Sequence, residues 1–250
     1  MAEVYTISIQ KGGVGKSTTV QCLGELLGKE NKKRVLCVDT DSQCSLSLSS
    51  GIANPMDCVS NIYTLLKEES ALKESIVHTP YYDLIPGSPY LANADVEFNR
   101  IGKEQFLKER LSNADYDIIL IDTPPALSLM SVMALTACDK VLIPMATDYL
   151  TLAGADQLYS TIDTVKKYLN PDIVIRGIMI IKYNPRTNLN NMVLDSILEF
   201  ADSRGTEVFD SKIRETVKVK EAQSQLKPIC DWASKSTAVS DYRELIKEIF

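Results

Sequence analysis

The stretch Gln10-Lys11-Gly12-Gly13-Val14-Gly15-Lys16-Ser17-Thr18 decides the fold. It closes an apolar, β-branched run over Val4–Gln10 and opens a segment of helical period over Thr18–Lys29. It fits GxxxxGK[ST] once Gln10 stands in place of the first glycine, so a phosphate-binding loop is predicted between a strand and a helix. Gly12, Gly13 and Gly15, with Val14 among them, free the backbone to turn its N–H groups inward around phosphate oxygens. The N-terminus of the following helix adds partial positive charge. Lys16 is placed to reach β/γ phosphates, the Ser17 hydroxyl to ligate Mg²⁺, and Thr18 continues the loop into the helix. A glycine-rich turn with adventitious lysines is the competing reading, and it leaves the order strand, loop, helix unexplained.

Outward from this motif, short β-branched runs alternate with longer helical segments, the pattern of parallel βαβ units. Strands are predicted over Arg34–Asp39, Asp83–Pro86, Asp117–Asp122, Lys140–Pro144 and Ile173–Ile181. DIILID and KVLIP are nearly continuous apolar runs, as expected of strands covered on both faces. A long helical stretch is predicted from Leu91 to Leu111, and another helix over Leu189–Asp202. Leu158, Ile162, Val165 and Leu169 mark one apolar helix face. Asp241–Phe250 closes the chain as a helix in which Asp241 and Glu244 form a capping box. The expected architecture is a single α/β domain over 1–250, a mostly parallel twisted sheet with helices on both faces. No helix-turn-helix segment precedes the first strand.

Two acidic segments fall where an open α/β sheet places its ligand crevice, just past the carboxyl ends of strands. One is Asp39-Thr40-Asp41-Ser42-Gln43, the other Asp122-Thr123-Pro124-Pro125 after Ile118–Ile121. An Asx-rich turn is the plain alternative for the first.

The set resembles the deviant Walker ATPases of the ParA/MinD superfamily, whose signature KGGxGK[ST] carries a second lysine where Lys11 stands. The resemblance implies that Lys11 reaches across a nucleotide-sandwich homodimer to the partner's phosphates. A cation supplied from the other subunit neutralises transition-state charge only after pairing. The segment from Asp39 looks like the family's DxDPQ, which implies that Asp39 lies near the Mg²⁺ shell and Asp41 activates the attacking water. Here Ser42 replaces the usual proline, and Cys44 and Ser45 the usual Gly-Asn. Asp122 resembles Walker B, implying a hold on the Mg²⁺ shell. Three further blocks, VLIPMATDYLTLAG (141–154), GIMIIKYNPRTNLN (177–190) and VFDSKIRETVKVKEAQSQLKPI (208–229), are similar to ParA/Soj-type partition ATPases, in the small form without an N-terminal helix-turn-helix. That family usually has Thr at the position of Ile181, near the adenine. It implies ATP and Mg²⁺ as ligands and a slow intrinsic ATPase. It also implies an ATP dimer on non-specific DNA, a ParB-type centromere-binding partner, and a cytoplasmic, nucleoid-associated protein that drives DNA partition.

Lys212, Arg214, Lys218 and Lys220 put four positive charges in the last block, with Glu215 between them. Alone they read as a solvated basic face. The resemblance makes them candidates for DNA phosphate contacts without sequence preference. A net charge of -6 excludes a bulk DNA coat, so any such contact must be a local patch. A MinD-like membrane-surface switch is the alternative, as is a positioning ATPase with protein cargo. The tail SDYRELIKEIF is poor in the basic residues that membrane binding wants, and no apolar run approaches the roughly 18 residues of a membrane span. Cluster-carrier chemistry wants paired cysteines after Asp122, where the sequence reads TPPALSLMS. The six cysteines show no CxxC spacing and read as reduced thiols. His78 is expected at the surface, and Trp232 at an edge of the core.

Overall fold

A computed structural model describes residues 2–148 and 150–250. Its frame is one eight-stranded sheet in the order β3-β4-β2-β5-β1-β6-β7-β8. The strands are β1 (Glu3–Ile7), β2 (Val35–Asp39), β3 (Val77–His78), β4 (Asp83–Ile85), β5 (Ile118–Asp122), β6 (Lys140–Ala146), β7 (Val174–Tyr183) and β8 (Val208–Arg214). All neighbours are parallel except the short edge pair β3–β4.

Strand sequences explain the layering. In β2, Val35 and Cys37 point into one core and Leu36 and Val38 into the other; in β5, Ile118 and Leu120 oppose Ile119 and Ile121 in the same way. A strand that is apolar at every position has two faces to bury, and each is covered by helices. The first core takes α1 (Lys16–Lys29), α7 (Thr151–Tyr168), α8 (Asn188–Ser203) and α11 (Thr237–Ile249). The second takes α3 (Ile62–Leu66), α4 (Ala94–Glu97), α5 (Phe106–Leu111) and α6 (Leu129–Ala137). Short helices α2 (Ser45–Ser49), α9 (Val217–Ser224) and α10 (Ile229–Trp232) lie in the connections.

Several expectations change. The stretch 91–111 is not one helix: 3₁₀ turns at Pro89–Asn93 and Lys103–Gln105 flank α4 and precede α5. Its buried positions Leu91, Ala94, Phe98, Leu107 and Leu111 keep helical spacing except between Phe98 and Leu107. There Ile101 is exposed and Gly102 takes a left-handed turn at φ 77°. The C-terminal helix starts four residues before Asp241, where Ser236 accepts from Val239 N at 3.3 Å. Asp241 is therefore no cap; it turns to Arg214. Trp232 is 44% exposed, with the Lys227 ammonium 4.8 Å from its ring centroid, and packs no core edge. His78 is exposed as expected but has a partner, Asp83 Oδ1 at 2.6 Å, across the β3–β4 pair. Tyr149 of the 141–154 block lies outside the described residues.

Candidate functional site

Parallel strands end together, and here the ends carry the chemistry. Register pairs Asp39 with Asp122 and Ile7 with Asp122, so two carboxylates and the start of the glycine loop share one sheet edge. Strand β1 lies inside the sheet, flanked by β5 and β6, where the chain order reverses and a ligand crevice opens. Thr40 Oγ1 donates to Asp122 O at 2.6 Å and Thr123 Oγ1 to Ile7 O at 2.9 Å, which locks the three strand ends.

The loop from Gly12 to Gly15 bends through left-handed backbone at Gly13 (φ 70°) and Gly15 (φ 92°), a conformation glycine adopts without a Cβ penalty. Behind it, α7 packs closely: a Cβ on Gly154 would sit 2.7 Å from Gln10 O. Lys16 is 7% exposed, and its Nζ donates to Lys11 O at 2.8 Å and Ile9 O at 3.4 Å. Burial lowers its pKa, opposed by the charges of Asp122 and Asp41. Ser17 and Thr18 lie at the start of α1 and, with Gly12–Lys16, line a cleft of ≈ 530 Å³.

The three acids differ in what surrounds them. Asp39 is fully buried and already engaged: Ser47 N (2.8 Å) and Ser47 Oγ (2.6 Å) donate to Oδ2, and Asp41 N (3.2 Å) to Oδ1. Gly87 N donates to the same Ser47 hydroxyl at 2.8 Å. Burial pushes the Asp39 carboxyl up to about 6, against the lowering by these donors. Asp122 is equally buried, yet among the described residues no donor meets either of its carboxylate oxygens in hydrogen-bond geometry, the Ser17 hydroxyl lying nearby without completing one. Burial raises its pKa well above the usual range, with the Asp39 charge adding to that; Ser17 and Lys16 act the other way. A buried carboxyl without partners is costly to ionise unless something cationic completes it. Asp41 lines the cleft, its Oδ1 accepting from Gln43 N at 2.9 Å in an Asx turn.

Lys11 stands at the loop mouth and makes an ion pair with Asp148, in the connection from β6 to α7. The four basic candidates scatter in role. Arg214 is fixed on Asp241: backbone N (3.0 Å) and Nε (2.9 Å) to Oδ2, and a terminal guanidinium nitrogen (2.6 Å) to Oδ1. Lys218 pairs with Glu221 at 2.7 Å and Lys220 with Glu215 at 3.4 Å. Among the described residues Lys212 meets only the Asp210 carbonyl, at 3.3 Å. The block they belong to also walls the cleft, through Ile213, Thr216, Val219, Lys220 and Gln223, opposite the loop and beside Ile181 and Lys182. Sequence reading gave that block to DNA and missed its place in the cleft. The signal was the apolar spacing of Ile213 and Val219 within the charged run. Nothing local pointed to Ser47, Asp148 or Lys182.

Residues 2–175 match the family model described as an AAA domain. Over 254 residues the chain is 35% identical to the sporulation initiation inhibitor protein Soj of Bacillus subtilis, covering 100% of this chain and 98% of that one. It is 34% identical over 254 residues to the chromosome partitioning protein ParA of Myxococcus xanthus, covering 100% and 88%. Among solved structures, cobyrinic acid a,c-diamide synthase of Mycobacterium smegmatis, with bound ADP and magnesium, superposes with a TM-score of 0.85 at 31% identity, covering 99% of this chain and 93% of that one. A glycine loop over paired strand-end carboxylates, in a chain alike to these relatives from end to end, places the protein in the ParA/Soj family of P-loop ATPases.

Proposed function

We propose that the chain is a Mg-ATP-driven partition switch: it binds ATP in the cleft, pairs with a second copy, binds DNA without sequence preference as that pair, and is reset by slow hydrolysis. The observation that carries the reading is the orphaned, buried Asp122 carboxylate beside Ser17 and the phosphate loop. This donor set fits a hard divalent cation, which takes carboxylate and hydroxyl oxygens and keeps several waters. Asp122 and Ser17 would hold Mg²⁺, with Asp39, already anchored by Ser47, at its outer shell. The ion, when bound, neutralises charge on the β and γ phosphates.

The remaining roles belong to the chain. Backbone N–H groups from Gly12 to Gly15 and the α1 N-terminus cradle phosphate oxygens. Lys16 exchanges the Lys11 and Ile9 carbonyls for the β/γ phosphates. Asp41 positions the attacking water as a general base. Lys11, released from Asp148, reaches the partner's phosphates, so hydrolysis waits for pairing. ADP and magnesium in a solved relative, and the partitioning role in the names of others, support nucleotide and cargo class alike. A ParB-type centromere-binding protein is the expected stimulator, and the expected compartment is the cytoplasm, over the nucleoid in the ATP state.

A second reading, a positioning ATPase that engages a protein surface, is favoured by one observation: Arg214, Lys218 and Lys220 already face carboxylates. The membrane-surface alternative gains no such support. Val239, Tyr242, Leu245, Ile246 and Ile249, the apolar face of α11, are buried within the protein. No helix among the described residues is long and apolar enough to cross a membrane.

Molar mass in solution with no nucleotide, Mg-ADP or Mg-ATP tests the switch, using wild type and the hydrolysis-deficient Asp41→Ala. Doubling with ATP alone, persistent in Asp41→Ala, is expected. A mass indifferent to nucleotide would remove the switch.

A further inference from the structure

Three lysines crowd the phosphate loop, and only two belong to its motif. The third, Lys182, sits near the end of β7, next to Ile181, whose Cδ1 lies 3.5 Å from where a Gly15 Cβ would be. Its Nζ donates to the carbonyl oxygen of Gly13, at the tip of the loop, and its side chain lines the cleft. Its backbone is left-handed at φ 52°, a conformation that disfavours a residue with a side chain. Strain of this kind gathers at functional sites, held by the structure around it.

The charge of Lys182 is also unbalanced. Lys11 has Asp148, and Lys16 has Asp122 and Asp41 as neighbouring charges. Among the described residues no carboxylate lies within 4.0 Å of the Lys182 ammonium. Its field reaches Lys11, whose protonated form it disfavours together with burial. An exposed ammonium held on a neutral carbonyl, beside two further cations, is a site short of an anion.

We propose that Lys182 is a third phosphate-binding lysine, which leaves the Gly13 carbonyl for the non-bridging oxygens of the nucleotide's phosphate chain when the cleft fills. This rests on the reading of the cleft as a nucleotide site. It places a cation from β7 on the side of the loop opposite the Asp39–Asp122 edge, so the phosphates are gripped from both.

The test is competition binding of Mg-ATP, Mg-ADP and adenosine to wild type, Lys182→Gln, Lys182→Gly and Lys182→Arg over a salt series. Glycine suits the left-handed backbone, so a loss shared by the Gln and Gly variants reports the ammonium and not the strain. Loss of the lysine should weaken ATP and ADP roughly 5–10-fold at low salt, narrowing as salt rises. Adenosine should bind unchanged, and Lys182→Arg should keep most of the affinity. If wild type binds ATP and both neutral variants match it, the proposal is overturned while the cleft reading stands. Adenosine weakening by the same factor as ATP would also overturn it, assigning Lys182 to pocket shape alone. Wild type that fails to bind ATP would sink the cleft reading and this inference together.

Discussion

Asp122 and Asp39 stand on paired positions of adjacent strands, yet they are different groups. Asp39 is held by three donors, whereas among the described residues the Asp122 oxygens meet none in hydrogen-bond geometry, so on the proposed reading Asp122 is the acid left for the divalent cation. Lys16 is the other residue on which the proposed nucleotide site rests. Removing a buried charge-assisted contact of about 3 kcal/mol corresponds to roughly 100-fold in affinity. Lys16→Ala is therefore expected to lose ATP binding by about that factor or more, with little change in circular dichroism; unchanged affinity in a nucleotide titration would contradict it. Asp41→Ala should keep ATP affinity and slow turnover on the order of 100-fold, as expected for loss of a general base. Normal phosphate release by that variant would return Asp41 to a turn residue. At this scale the sequence was legible where the signal is local. The glycines, Lys16 and Ser17 lie within one turn of chain. Ser47 sits in α2, Asp148 after β6 and Lys182 on β7, and no spacing announces them.

Elements were legible in proportion to their burial on two sides. The alternating faces of β2 and β5 gave strands that differ from expectation by one residue, whereas 91–111 is half exposed and its period lapses at Ile101. The block over β8 and α9 was read by resemblance and by charge, and its cations answer to neighbours that neither reveals. Arg214 clamps β8 to α11 through Asp241, which is only 12% exposed. Arg214→Ala should lower the melting temperature by roughly 2–4 °C, while Lys218→Ala leaves it within a degree or so; equal melting curves for both would contradict the clamp. Arg214→Glu, facing Asp241, is thus a poor charge reversal for DNA work, and Lys212 with Lys218 is the cleaner pair.

A second joint ties α1 to α10. Glu25 is buried, accepting from Gln21 Nε2 at 2.9 Å and from Cys230 N at 2.8 Å, and burial raises its carboxyl above 4.5. As pH climbs past the ordinary carboxylate value, the unfolded chain releases this proton first, so stability falls until the folded group ionises too. Glu25→Gln removes that slope, and its melting temperature should gain on wild type as pH rises through the window. Parallel curves would contradict it.

Across the whole molecule, one sheet brings every part to a single edge. The phosphate loop follows β1, the acids close β2 and β5, Lys11's partner follows β6, Lys182 lies on β7, and the far wall follows β8. The parallel sheet was legible from alternating runs, but its order was not, because register is set by which helices pack and not by any one segment. The antiparallel edge β3 and strand β8 went unread, the first for its two-residue length. With Arg214, Lys218 and Lys220 paired within the monomer, the proposed switch would draw any DNA affinity from doubling a modest patch, so that affinity should depend on pairing more than on any single cation. The direct measurement is binding to a random-sequence duplex with no nucleotide, Mg-ADP or Mg-ATP across a salt series, with Lys212→Glu/Lys218→Glu alongside. Binding with ATP alone, falling steeply with salt and lost in the charge-reversed variant, is predicted. A nucleotide-dependent dimer that leaves DNA untouched at low salt would contradict the partition switch and turn the account to a protein surface.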